Sequence, residues 1–356
     1  MKLIIHAGMN KTGSSSIQHS LASHNSADLN YIKWRSQNHS DMFVLLFHEA
    51  ATRSRYHVFR TQGISEQELA KEREHWLDNL SRQLDANSAP VTVFSGEDIS
   101  QPTPMSGCQN MFDYFSNFFD EIKVIAYVRP PRSFMNSTFQ QRVKSSGLSE
   151  IRAQSLWPKY KARFEKLDLV FGKDNVELVP FVKDCMLDGD VVRDFWNRIG
   201  LECPQSSIPR VNDSLSLEAL ALLFYQRKLG GGLRTGRRDA RILNNAFIQT
   251  LENVGTEKFS FSNEFLNSTF QKNAVDLAWM EERIGQKLAD QVSQSSTPIS
   301  TESDLIGIAL EQIEALSEIT VREALKVSAD HPDLVVQHLL QCLRNICETH
   351  ATVGSQ

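Results

Sequence analysis

The stretch Leu3–Gln18, which reads LIIHAGMNKTGSSSIQ, decides the fold of this 356-residue chain. It opens with three apolar residues, two of them β-branched, a composition typical of a buried parallel strand. A turn with two glycines and one lysine follows, and Ile17 with Leu21 begins the apolar stripe of a helix. A strand, a glycine turn and a helix N-terminus together predict an anion cradle. The first helical amides have no intrahelical acceptor there, and the positive end of the helix dipole lies at this N-terminus.

The polar residues of this turn suit a phosphate or a sulfate. Lys11 contributes a full positive charge and Gly13 allows close approach of the backbone. The hydroxyl donors are Thr12, Ser14, Ser15 and Ser16. The usual nucleoside triphosphate loop places its lysine directly after the second glycine, whereas Lys11 precedes Gly13. A plain glycine turn with a solvated Lys11 is the alternative interpretation of the same residues.

Polar residues also follow two later strands. Val91–Phe94 is a predicted strand that leads into Glu97, and Lys123–Val128 is a predicted strand that ends at Arg129. Val176–Phe181 predicts a fourth strand. Ligands gather beyond the carboxyl ends of parallel strands, so Glu97 and Arg129 are candidate site residues. The pattern predicts an α/β fold with a central parallel sheet flanked by helices.

Two motifs resemble those of the sulfotransferases that use 3′-phosphoadenosine 5′-phosphosulfate (PAPS). The string KTGSSS at the mouth of the first strand is similar to the 5′-phosphosulfate loop of that family. The family's 3′-phosphate site pairs an arginine that ends a strand with a serine eight residues later, and Arg129 and Ser137 have this spacing. The proline that usually stands two positions after the arginine is doubled here. The resemblance spans residues 1–201, extends more faintly to Leu229, and implies a P-loop-type sheet.

The resemblance also implies an activity and a set of site residues. It implies transfer of the sulfuryl group of PAPS to a hydroxyl acceptor, with release of 3′-phosphoadenosine 5′-phosphate (PAP). Lys11 would neutralise the bridging oxygen of the leaving group. The implied donor-binding residues are Lys11, Thr12, Gly13, Ser14, Ser15, Ser16, Arg129 and Ser137. The carbohydrate-modifying branches use a glutamate near the donor, which makes Glu97 the expected base and a saccharide or lipid-linked saccharide the expected acceptor.

Several alternatives stay open on the residues alone. Glu97 also fits a helix-capping or salt-bridged carboxylate. His39 is the second candidate for the base, because the small-molecule branch of the family uses histidine, and it equally fits a packed imidazole. Arg132 is either a surface charge or a donor contact. The glycine-containing segment 227–241, with six basic residues, either closes over phosphates or is solvated. A small-molecule kinase or a non-catalytic nucleotide-binding module is the competing function.

Composition narrows the function classes. The net charge of −5 does not favour nucleic-acid binding. The five cysteines lack zinc-ligand spacing, so no metal site is expected. No secretory signal or membrane span is expected, since Met1-Lys2 precedes only three apolar residues before His6. These features predict a reduced, cytoplasmic location.

Three segments make up the predicted domain organisation. Residues 1–290 form the sulfotransferase-like α/β domain, and residues 291–303 form a Ser/Thr-rich linker. Residues 304–356 form an acidic helical appendage. From Ser300 onward the chain has nine Asp and Glu against three Lys and Arg. This appendage packs on the main domain, binds a partner or mediates a homodimer.

Overall fold

The computed structural model describes residues 1–146, 148–204, 214–229, 238–290, 295–320 and 332–353. Its centre is a five-stranded, all-parallel sheet. The strands are β1 (Lys2–His6), β2 (Leu29–Tyr31), β3 (Val91–Ser95), β4 (Glu121–Val128) and β5 (Val176–Pro180). Their order across the sheet is β2-β3-β1-β4-β5. The α/β class with a central parallel sheet is therefore confirmed.

Four of the five strands lie where the sequence predicts them. The exception is β2, in a region that the sequence shows as irregular. It has three residues and pairs only with β3, at the edge of the sheet. A strand this short carries too little periodicity to predict, because partner strands and not local pattern define it.

Sixteen α-helices occur in the described ranges. They are α1 (Ser14–Ser23), α2 (Ser40–Phe47), α3 (Ala50–Arg55), α4 (His57–Gln62), α5 (Glu66–Asp85), α6 (Ser106–Phe115), α7 (Pro131–Ser146), α8 (Tyr160–Phe171), α9 (Val191–Ile199), α10 (Leu217–Leu229), α11 (Arg238–Leu251), α12 (Asn263–Lys272), α13 (Ala274–Ile284), α14 (Glu302–Leu310), α15 (Ile313–Thr320) and α16 (Pro332–Val353). A 3₁₀-helix, Glu97–Ser100, directly follows Gly96 at the end of β3.

The first of two compact units contains the sheet. It comprises Met1–Pro131, Lys159–Val211 and Ala274–Gln291. Its core joins the apolar side chains of the strands to those of α1 and α9, including the fully buried Phe195 and Trp196. Gly200 ends α9 in the left-handed conformation, the role that glycine commonly has after the last residue of a helix.

The second compact unit is helical and comprises Arg132–Pro158, Asn212–Asn273 and Val292–Gln356. Its core contains an aromatic cluster in which the Phe139 ring lies 5.9, 5.3 and 5.1 Å from the rings of Phe224, Phe259 and Phe261. The described part of the C-terminal segment belongs to this unit. Leu305 and Leu316, on α14 and α15, are fully buried within it. Helices that are distant in sequence therefore share one core in this unit, and the predicted division into 1–290 and 304–356 stays a prediction.

Candidate functional site

Three of the candidate site residues, Lys11, Glu97 and Arg129, lie beyond the carboxyl ends of the three central strands of the sheet. Strand β1 lies between β3 and β4, with His6 paired in register to Ser95 on one side and to Ile125 on the other. The strand order changes direction at this point, which is where open parallel sheets bind ligands. The carboxyl end of β1 continues into the loop 7–13, that of β3 into Glu97, and that of β4 into Arg129.

The β1–α1 loop, residues 7–13, is held in an unusual backbone conformation. Gly8, Lys11 and Gly13 have φ angles of 58°, 65° and 77°, all in the left-handed region. Glycine adopts this region freely, whereas Lys11 does so at a cost of about 1–2 kcal/mol. Strain of this kind concentrates at ligand sites, where the surrounding structure enforces it. The Gly13 carbonyl accepts hydrogen bonds from the amides of Ser16 and Ile17, which begins α1.

The hydroxyl groups of the loop divide into two sets. Thr12 Oγ1 donates to the Met9 carbonyl over 2.7 Å, Ser14 Oγ lies 3.4 Å from the same carbonyl, and both side chains are buried. The Thr12 hydroxyl therefore closes the loop. Ser15 is exposed and Ser16 is half-buried, at the first turn of α1. The predicted donor-binding hydroxyls thus all belong to the loop and the helix N-terminus, but they differ in how far they are exposed to solvent.

Glu97 lies directly against the β1–α1 loop. A Cβ atom built on Gly8 would stand 3.1 Å from Glu97 Cα and 3.2 Å from Glu97 Cγ, a tight contact that, together with its φ of 58°, favours glycine at this position. Burial, and secondarily the charge of Asp98, raises the pKa of Glu97 to about 7. A hydrogen bond from Ser14 and the charge of Lys11 act in the opposite direction. The structure therefore brings Glu97, Ser14 and Lys11 together, with a carboxyl that titrates near neutral pH.

Arg129 reaches the same loop from the end of β4. Its Nη1 donates to the Lys11 carbonyl over 2.6 Å, and its amide donates to Met9 Sδ over 3.4 Å. Desolvation lowers the pKa of Arg129 to about 10, although the charge of Asp290 raises it. The guanidinium therefore stays charged at neutral pH. The predicted cation is thus half-buried beside the loop.

Two other predicted donor contacts lie on or beside α7. Ser137 occupies the second turn of α7 and is half-buried. Its pairing with Arg129 stays a sequence prediction, because the two residues fall in different compact units. Arg132 donates to the Phe261 carbonyl over 3.0 Å and to Asn263 Oδ1, both within the second unit. Those bonds give Arg132 a structural role in that unit.

His39, the second candidate base, is completely buried. Its Nδ1 accepts a hydrogen bond of 3.0 Å from the Ser95 amide, and its ring stacks on Tyr31 with a centroid distance of 4.7 Å. Burial lowers the pKa of His39 to about 3, so the imidazole is neutral. These contacts favour the packed-imidazole interpretation over the base.

The basic segment 227–241 falls mostly outside the described residues, which omit 230–237. Arg227 is described and is 5% exposed. Its guanidinium donates to the Val143 carbonyl, to Gln226 Oε1 and to Asn244 Oδ1. This first residue of the segment is therefore buried in the second unit.

Sequence reasoning missed a group of polar side chains that bond to Asp98 and to the backbone of residues 100 and 101. Tyr56 donates to Asp98, Arg163 donates to the Ser100 carbonyl, and Lys166 donates to the Gln101 carbonyl. Arg163 and Lys166 are only 7% and 6% exposed. Charged residues on a helix are normally read as its solvated face, so no local signal marks these two as buried.

Comparisons of the chain with protein-family models, with curated proteins and with solved structures found no match in any of the three. Within the described ranges, no three or more His, Cys, Asp or Glu side chains form a group that could hold a metal ion. None of the described helices is both long enough and apolar enough to cross a bilayer.

The close fit of Gly13 gives a stability prediction. A Cβ on Gly13 would stand 2.6 Å from Val191 Cγ1, in addition to its φ of 77°. Gly13→Ala should therefore lower the free energy of unfolding by about 2–4 kcal/mol, measured by urea titration. Gly200→Ala is the matched control, because Gly200 has a φ of 82° and a Cβ added there would meet nothing within 4 Å. Equal losses in the two variants would contradict the steric contact with Val191.

Proposed function

We propose that this protein is a sulfotransferase with a P-loop-type sheet, which moves the sulfuryl group of PAPS to a hydroxyl acceptor. The observation that carries the proposal is the convergence of Lys11, Glu97 and Arg129 on one β1–α1 loop. The loop backbone and the amides of α1 suit the 5′-phosphosulfate. Lys11 supplies the cation for the leaving oxygen, and Arg129 supplies a second cation for the 3′-phosphate.

The proposed chemistry needs positioning and charge stabilisation more than covalent participation. By analogy with phosphoryl transfer, the attacking and leaving oxygens lie roughly in line and the charge spreads over the equatorial oxygens. Lys11 stabilises the negative charge that develops on the bridging oxygen as the S–O bond breaks. Glu97 takes the proton of the acceptor hydroxyl, and a carboxyl that titrates near neutral pH suits this role.

The acceptor is proposed to be a saccharide or a lipid-linked saccharide. This part of the proposal rests on the use of a glutamate base, which the carbohydrate-modifying branches of the resembled family share. A direct test offers PAPS with a panel of free and lipid-linked saccharides and follows PAP release. Transfer to phenolic small molecules alone would contradict a saccharide acceptor.

The competing proposal is a kinase or a non-catalytic nucleotide-binding module. A kinase pairs its phosphate loop with a Mg²⁺-binding carboxylate, and Glu97 and Asp98, which follow β3, are the acidic candidates for that role. The position of Lys11 before Gly13, and not after it, favours the sulfotransferase.

A thermal-shift panel separates these functions. PAP, ATP, ADP, GTP and NAD are each added to the protein at the same concentration. Ligand at 100 times its dissociation constant stabilises the native state by about 2.7 kcal/mol, so PAP should raise Tm by several degrees. ATP and ADP should raise it less, because they lack the 3′-phosphate. A larger shift with ATP and Mg²⁺ than with PAP would support the kinase instead.

Replacement of Arg129 tests the 3′-phosphate directly. A well-made hydrogen bond to a charged group contributes about 1.5–3 kcal/mol, so Arg129→Ala should weaken PAP binding about 10- to 150-fold. Binding of adenosine 5′-phosphosulfate, which has no 3′-phosphate, should change little. Calorimetric titration of both nucleotides into both proteins measures the two effects.

The Arg129 variant also loses a bond to the loop, since Arg129 donates to the Lys11 carbonyl. Arg129→Lys is the matched control, because it keeps the charge and loses the planar fork. It should retain part of the PAP affinity. Equal losses for PAP and for adenosine 5′-phosphosulfate would show that Arg129 acts through the loop and not on the 3′-phosphate.

A further inference from the structure

The 3₁₀-helix Glu97–Ser100 carries two adjacent carboxyl groups with different surroundings. Glu97 lies against Gly8 of the β1–α1 loop. Asp98 instead accepts a hydrogen bond of 2.6 Å from Tyr56 Oη, and the Asp98 amide donates to Ser40 Oγ over 3.1 Å. Tyr56 is the residue that links α3 to α4, and Ser40 begins α2. Asp98 is therefore tied to two neighbouring helical segments, while Glu97 faces the candidate site.

The far end of the same 3₁₀-helix is held by buried cations. Arg163 Nη1 donates to the Ser100 carbonyl over 3.3 Å. Lys166 Nζ donates to the Gln101 carbonyl and, over 3.0 Å, to Thr103 Oγ1. Burial lowers the pKa of Arg163 to about 10 and also lowers the pKa of Lys166. Asp98 favours the charged form of both groups, so it is the anion that partly balances this cationic cluster.

We propose that Asp98, oriented by Tyr56, is a positioning residue that controls the charge environment of Glu97. This inference rests on the proposed function, in which Glu97 is the base. Two neighbouring carboxyl groups do not ionise independently, so a negative charge on Asp98 favours the protonated form of Glu97. Tyr56 withdraws part of that negative charge through its hydrogen bond. The pair thus sets how readily Glu97 accepts a proton at neutral pH.

The charged groups around the pair agree with this role. The pKa of Glu97 is raised first by burial and then by Asp98, whereas Lys11 and the Ser14 hydroxyl lower it. The Tyr56 hydroxyl donates to Asp98, and burial together with the charges of Asp98, Asp41 and Glu97 raises the pKa of Tyr56. Tyr56 therefore stays protonated and remains a donor to Asp98 throughout the neutral range. Asp98 is the acidic residue nearest to Glu97 along the chain.

Two substitutions should shift the titration of Glu97 in opposite directions. Asp98→Asn removes the neighbouring charge, so the pKa of Glu97 should fall by about 0.5–1 unit, and burial should keep it above the ordinary value of 4.5. Tyr56→Phe leaves the Asp98 charge less compensated, so the pKa of Glu97 should rise by a smaller amount. A purely structural role for the pair would not produce shifts of opposite sign.

Carboxyl ¹³C NMR of glutamate-labelled protein without nucleotide measures this titration, and Glu97→Gln assigns the signal. Asp113→Asn and Tyr114→Phe are the matched controls, because Asp113 bonds to Gln109 and Tyr114 bonds to Ser81. The second readout is the pH dependence of kcat with PAPS. Its acidic limb should move to lower pH in Asp98→Asn, with a lower plateau because a weaker base transfers the proton more slowly.

The two readouts distinguish the inference from the proposed function. Opposite NMR shifts together with matching shifts of the kcat profile support both. Opposite NMR shifts in a protein that PAP does not stabilise, and that releases no PAP with any acceptor of the saccharide panel, support the Asp98–Glu97 coupling and overturn the sulfotransferase. A Glu97 titration that is unchanged in both variants overturns the inference even if the parent is active. If Asp98→Asn fails to fold, the Tyr56→Phe shift alone decides.

Discussion

Replacing Lys11 with alanine is expected to lower kcat for PAPS about 10²- to 10³-fold. The lysine charge stabilises the bridging oxygen as negative charge develops on it, and this stabilisation is stronger in the transition state than in the bound donor. PAP lacks the sulfuryl group and should still bind measurably. The measurement pairs single-turnover kinetics with a PAP titration, which separates the chemical step from donor binding.

The backbone of Lys11 calls for a second variant. Its φ is 65°, in the left-handed region that asparagine tolerates better than alanine. Lys11→Asn therefore removes the charge with less backbone strain, and it should lose turnover as severely as Lys11→Ala. Lys173→Ala, on an exposed 3₁₀-turn, is the control for loss of a lysine elsewhere. Parental turnover in Lys11→Asn would show that the loop does not hold the transferring group.

Glu97→Gln is expected to reduce kcat about 10²-fold or more with donor affinity little changed. The amide keeps the shape of the side chain but cannot take the proton of the acceptor hydroxyl. The parent enzyme should also show a characteristic pH profile. Because the base must be unprotonated and its pKa is about 7, kcat should rise as pH increases through 7 and level off above it.

The same profile provides the check on this role. In Glu97→Gln the residual rate should no longer rise through pH 7, because the titrating group has been removed. His39→Gln is the comparison for the second candidate, and its main effect should be on stability, since His39 is buried against Tyr31 and bonded to Ser95. A Glu97→Gln enzyme with parental kcat and an unchanged pH profile would show that another group is the base.

The element types that carry the site were predictable from local pattern. Leu3–Ile5 is an apolar run and Val91–Phe94 is rich in β-branched residues, a composition typical of buried strands, and both segments are strands in the structure. Gly13 ends the loop and Gly200 ends α9, because both positions require a left-handed backbone. Short elements escaped prediction, as β2 shows.

The domain division depended on contacts that no window of sequence contains. In its described part, the acidic C-terminal segment contains three separate helices, α14, α15 and α16. Leu305 and Leu316 are buried in the second unit, which also contains Phe139 and Phe224 from much earlier in the chain. Periodicity shows that a helix has an apolar face, and it does not show which distant element covers that face.

The amino-acid sequence by itself determined the parallel α/β class, the β1–α1 loop and the candidates Lys11, Glu97 and Arg129, because each follows from composition and order within a few residues. Tertiary structure alone decided that these three meet at one loop, that His39 is packed, and that Asp98 has Tyr56 as its partner. The physical reason is that burial and neighbouring charge set the protonation and orientation of a side chain. Both depend on residues that only folding brings together.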